Sequence, residues 1–125
     1  MDDTRGIIFS EYASSGSSNV AFELLANRTI RVYWNGSPDW TFGLALEKNV
    51  WSHVAITKST NSIKVYINGE FKKENTGTLS ARSSTSCIRL GDDYRGGTSV
   101  SYMGYMNDAR IYDHCLSAAE VREIS

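Results

Sequence analysis

The sequence predicts an all-β fold, an antiparallel β-sandwich with one short C-terminal helix. Three observations carry this. Short runs rich in β-branched and aromatic residues recur along the chain, parted by turn signals every ten residues or so. Within those runs apolar residues fall at every second position, the period of a strand with one buried face. Ile63, Val65 and Ile67 against Lys64, Tyr66 and Asn68 are the clearest case. Helix signals gather in one place, the tail after Leu116. No period of roughly 20 to 50 residues recurs, so the chain is not a repeat array.

In order, the first strand is Ile7 to Tyr12, ended by the Ser/Gly tract 13–19. Val20 to Leu25 follows, with Val20, Phe22 and Leu24 on one face. Asn27-Arg28 reads as a two-residue turn into Thr29 to Trp34, where Ile30, Val32 and Trp34 alternate with Arg31 and Tyr33. The turn cluster Asn35 to Asp39 holds the single proline and leads to Trp40 to Leu46. Then come a strand from Trp51 to Lys58, the polar break 59–62, and a strand from Ile63 into Asn68-Gly69. That pair supplies the positive φ angles of a tight hairpin. Glu70 to Glu74 is its partner strand. Cys87 to Gly91 is the next strand and Gly104 to Tyr112 the last. Ser117-Ala118-Ala119-Glu120 is a capping box flanked by Leu116 and Val121 at staple positions, which predicts a helix from Ala118 to about Ile124.

A chain of 125 residues is one domain, able to bury about two-thirds of its unfolded surface. A net charge of −1 with scattered Lys and Arg excludes nucleic acid as the main partner, because that needs a clustered basic face. No apolar run approaches the roughly 20 residues that span a bilayer, so no membrane insertion is expected. The acidic start, Met1-Asp2-Asp3, lacks the apolar core of a signal peptide. Cys87 and Cys115 are too few for a disulfide framework or a zinc site. One bridge is open to them, and two buried free thiols are the commoner state.

Two blocks carry a resemblance. The first is Trp51-Ser52-His53-Val54-Ala55 followed by Val65-Tyr66-Ile67-Asn68-Gly69. The second runs Ile88-Arg89-Leu90-Gly91, Gly104, Asn107-Asp108-Ala109-Arg110-Ile111-Tyr112, Leu116-Ser117 and Glu120-Val121. Together they resemble the laminin-G-like domains of the concanavalin A-like lectin/glucanase superfamily, which implies a jelly-roll sandwich. Asn107 stands where the family usually has Asp. The wording Tyr112-Asp113-His114-Cys115-Leu116-Ser117 is similar to lectin-like domains of bacterial surface proteins and of phage tails. The resemblance therefore implies an extracellular or virion-associated module of a larger protein. It also implies that the family's opening strand is missing here. The open sheet edge would then take a strand from a second copy, as a homodimer, or from the parent protein.

For function, the superfamily offers lectins and glucanases. A retaining glycosidase needs two carboxylates about 5 Å apart, and no Glu-x-Asp-x-x-Glu run supplies them. Catalysis is not expected, with a glycoside hydrolase as the remote alternative. His53 reads as a satisfied histidine beside Trp51, and His114 as solvated. Sugar binding needs an aromatic face beside amide, carboxylate or guanidinium groups. The preferred site is the loop Asp92, Asp93, Tyr94 and Arg95. A second group is Tyr33, Asn35 and Trp40 with Asp39, and a third is Tyr102 with Tyr105. Trp40 also falls in register with apolar neighbours, which suits core packing. Asp92 and Asp93 offer hard oxygen ligands, making Ca2+ the cofactor expected if any ion is held. Two aspartates equally favour a turn by themselves, and that reading weighs more. The expected partner is a glycan or cell-surface polysaccharide. The alternative is a structural or adhesive module whose partner is protein.

Overall fold

The computed structural model describes residues 5–13, 18–34, 40–79, 85–92 and 101–125. Among them are eight strands and one helix: β1 (Gly6–Ala13), β2 (Ser18–Leu24), β3 (Thr29–Trp34), β4 (Trp40–Ala45), β5 (Val54–Lys58), β6 (Ser62–Ile67), β7 (Glu70–Thr76), β8 (Thr85–Leu90) and α1 (Ala118–Ile124). Every strand pairing is antiparallel. The chain divides into two compact units: the residues up to Lys48 with 79–105, and 49–78 with 106–125.

The first unit is a five-stranded sheet in the order β4-β3-β2-β1-β8. Residues directly opposite each other on paired strands share a face. The register sets Phe9, Phe22, Val32 and Trp40 in one row. Leu24 and Ile30 sit opposite each other on that same face. Ile30, Val32 and Phe42 are all but fully buried there, so the alternation read from the sequence does mark an apolar face. Gly43 has φ 67°, and the β3–β4 register shifts beside it, so a bulge interrupts the expected strand, which stops at Ala45.

The turn before β3 is where the sequence puts it but one residue longer. Leu25 N donates to Thr29 O at 2.9 Å and Arg28 N to Leu25 O at 2.7 Å, closing a three-residue loop, 26–28. Arg28 takes φ 64°, and Asn27 Oδ1 accepts from Thr29 N at 3.1 Å. Leu24 consequently faces Ile30, and Glu23 faces Arg31. A two-residue turn would have set Glu23 against Val32 instead.

The second unit holds the sheet β5-β6-β7 and α1. Ile63, Val65 and Tyr66 are buried, and the Tyr66 ring meets Phe71 edge-on at 5.8 Å. Asn68 and Gly69 turn the β6–β7 hairpin at φ 52° and 80°, as the Asn-Gly pair predicts. Asn68 also clamps the entry to β5: its N donates to His53 O at 2.8 Å, and its Oδ1 accepts from His53 N at 2.9 Å. A Cβ built on Gly69 would lie 2.5 Å from Ser125 Oγ, so the end of α1 lies directly against this turn. The capping box forms in full. Ser117 Oγ accepts from Glu120 N at 3.2 Å, and Glu120 Oε2 accepts from Ser117 N at 2.7 Å. Those bonds from Ser117 hold the Glu120 carboxyl below its ordinary value. Val121, at the staple position, is fully buried.

Four expectations are corrected. Gly104 to Tyr112 forms no strand. No ladder partner lies beside it among the described residues, and a strand is not stable without one. Asp108 instead takes φ 54°, with its carboxylate gripped by Arg110 Nε and Nη2, each at 2.8 Å. Trp51 is not a strand residue but an exposed side chain (69%), since β5 begins at Val54. His53 is not satisfied: its buried Nδ1 has no hydrogen-bond partner among the described residues. Cys87 and Cys115 are free and exposed rather than buried, one in each unit. Among the described residues no helix is long and apolar enough to cross a membrane.

Candidate functional site

The face of the five-stranded sheet opposite the apolar one is polar. Its first row, read across the strands, is Thr41, Arg31, Glu23 and Ile7. Its second row is Tyr33, Ala21, Ser10 and Arg89. At about 4.8 Å per strand, Tyr33 and Arg89 stand roughly 14 Å apart. Ala21 and Ser10 lie between them and are both buried.

Glu23 centres the first row and is only 2% exposed. A buried carboxylate is tolerated when paired and hydrogen-bonded. Here Arg5 Nε donates to Glu23 Oε2 at 2.8 Å and Arg31 Nη1 donates to Oε1. Arg5 is nearly half exposed and Arg31 about one-fifth exposed, so the cluster runs from the sheet out to solvent.

Asp92 lies over the second row. Ser10 Oγ donates to its backbone carbonyl at 2.8 Å. Its carboxylate accepts from Ser101 Oγ at 3.1 Å and has Arg89 Nη1 at 3.9 Å. The segment around it is tied back to the sheet. Gly91 N donates to Ile8 O, Tyr102 N donates to Gly91 O, and Ser101 bridges to Ile7. Burial raises the Tyr102 hydroxyl above its ordinary pKa. A side chain on Gly6 would strike the Tyr102 backbone at 2.8 Å, so a glycine there lets the segment approach.

Of the residues expected to bind, Tyr33 and Asp92 lie on this polar face. Trp40 does not join Tyr33. It pairs with Val32, is 9% exposed, and belongs to the apolar face. Asn35, Asp93, Tyr94, Arg95 and Asp39 lie outside the described residues. Tyr105 is 84% exposed and Tyr102 partly buried. His114 is exposed as expected, bonded to Asp113 at 2.9 Å, which is held below its ordinary value by that contact. Glu23, Arg31, Arg5, Arg89 and Ser10 were missed. The available signal was the polar residues that alternate with the apolar ones in β1, β2, β3 and β8.

No group of three or more His, Cys, Asp or Glu among the described residues is placed to hold a metal. Asp92 is the described half of the expected calcium pair, and its two oxygens already face Ser101 and the cationic Arg89.

Among the described residues the chain is two antiparallel sheets and one short helix. A family model of the concanavalin A-like lectin/glucanases superfamily, laminin-G type, matches residues 1–122, and the chain belongs to that family. The fold is shared with a heptameric SAP-like pentraxin from Limulus polyphemus, at TM-score 0.80 and 20% identity, over 98% of this chain and 64% of that one. An S-layer domain-containing protein from Clostridium thermocellum is 30% identical at TM-score 0.55, over 97% of this chain and 63% of that one. A Trypanosoma rangeli sialidase matches at TM-score 0.64 and 16% identity, over 95% of this chain but 20% of the sialidase. This chain thus spans under two-thirds of each of these proteins. No curated protein matches it.

Proposed function

We propose that the chain is a non-catalytic glycan-binding module, and that the polar face of the five-stranded sheet, at Tyr33, Arg89 and Asp92, receives the sugar. The observation that carries this is the second row. It sets an aromatic ring at one end and a guanidinium with a carboxylate at the other, on one sheet face. An oligosaccharide long enough to span that roughly 14 Å offers an apolar pyranose face to the ring at one end and hydroxyls to the charged pair at the other. The lectin/glucanase family supports the reading. So does the buried-carboxylate geometry: Glu11 and Glu23 project to opposite faces of the sheet, and Glu23 is taken up by two arginines, which does not suit a paired acid and base. The S-layer relative supports a place in a larger surface protein.

A glycan array with and without chelator tests this. Hits that weaken with Tyr33→Ala and with Asp92→Asn support the site. Loss in chelator would add calcium, held by Asp92 with Asp93, to the reading. No hits in either condition would favour the adhesive, protein-binding alternative. Reducing sugar released from β-glucans would instead make the chain an enzyme.

A further inference from the structure

We propose that residues 106–112 are a self-pairing strand, through which two copies of the chain join in antiparallel register about Ala109. Sequence and geometry meet in this segment. Met106, Ile111 and Tyr112 are apolar yet 43%, 64% and 40% exposed. No strand ladder takes up their backbone among the described residues. Exposed, unpaired backbone beside apolar side chains is a template for strand addition.

The occupant follows from the order of side chains. In a two-fold antiparallel pair centred on Ala109, positions opposite each other sum to 218. Met106 then faces the second copy's Tyr112, and Asp108 faces its Arg110, with both contacts repeated by symmetry. Apolar meets apolar and acid meets base at each of these four places, as cross-strand pairs require. Slipping the register by one residue sets Asp108 against Ala109 and loses the charge match. Asp108 and Arg110 now satisfy each other within one chain, at 2.8 Å. These two side chains therefore already share one side. Pairing would exchange these bonds for intermolecular ones and return Asp108 from φ 54° to the extended region. A net charge of −1 sets little repulsion between copies. A C2 contact of this kind is isologous and closes at two copies.

The test is cross-linking combined with light scattering on the full chain, with Cys87→Ser and Cys115→Ser to remove the native thiols. Ala109→Cys lies on the two-fold, with its Cβ about 5 Å from its own symmetry mate. It is expected to form a disulfide-linked dimer on mild oxidation, whereas Asn107→Cys, which faces Ile111, is not. Asp108→Arg places like charges at both reciprocal pairs and is expected to raise the dimer dissociation constant about tenfold. Adding Arg110→Asp is expected to restore it. A monomer at every concentration, with no Ala109→Cys cross-link, overturns the proposal. So does a dimer that cross-links through Asn107→Cys instead, or one indifferent to the charge reversal. Circular dichroism of each variant confirms that the sheets persist.

Discussion

Replacing Glu23 by Ala removes the acceptor at the centre of the polar face. Glu23 is 2% exposed and accepts from Arg31 and from Arg5, the latter at 2.8 Å. Arg31 is 19% exposed and would lose its Glu23 acceptor, with part of its charge cut off from water. Removing one partner of a buried pair costs about 3–5 kcal/mol, because the surviving charge stays desolvated. A domain of this length has about 6–19 kcal/mol in total, so the loss is a large fraction. Near 125 residues each kcal/mol moves the melting point by about 4 °C, which sets the expected fall at roughly 12–20 °C. Arg5→Ala is the internal control. Its side chain is 44% exposed, so the same pairing from the wet end is worth about 1 kcal/mol or less. Urea unfolding followed by tryptophan fluorescence measures both. A Glu23→Ala loss below about 1 kcal/mol, or one equal to that of Arg5→Ala, would refute the reasoning that burial makes this carboxylate matter.

Other outcomes follow from the second unit. Gly69→Ala strains a φ of 80° and puts a Cβ against Ser125. It should destabilise by more than the roughly 1 kcal/mol of a simple left-handed penalty, and deleting Ser125 should recover part of that loss in the same unfolding assay. The Glu120 carboxyl is lowered from 4.5 by its bonds to Ser117. Its contribution is therefore complete above the ordinary value and is lost as pH falls through the lower folded one. Helical signal and α1 amide protection should fall on acidification below about pH 4.5, and Ser117→Ala should flatten that dependence. Val121→Ala empties a fully buried position and should cost about 2 kcal/mol, read as a shift in the urea midpoint.

Strand positions were legible because apolar side chains alternate where one face is buried. The helix was legible because Ser117 and Glu120 satisfy each other locally. Both are properties of neighbours in the chain. What failed depended on distant partners. Residues 104–112 were read as a strand, yet among the described residues no strand pairs with them, and their apolar side chains stand exposed. The site was half legible for a similar reason. Tyr33 and Trp40 bracket one turn and look like one platform, but the register Val32–Trp40 puts them on opposite faces. A single extra residue in the 26–28 loop decides whether Glu23 meets Arg31 or Val32. Turn chemistry marked the loop's place and not its length, so the polar row stayed hidden.

The central claim is that the polar sheet face binds sugar, and calorimetric titration of the best array glycan into Tyr33→Ala and Phe71→Ala tests it most directly. Phe71 is 52% exposed and lies on the three-stranded sheet of the other unit, so it serves as an aromatic control. Losing a ring beneath a pyranose should weaken binding about five- to tenfold for Tyr33→Ala, with Phe71→Ala unchanged. Unchanged affinity in Tyr33→Ala, or a loss confined to Phe71→Ala, would contradict the account.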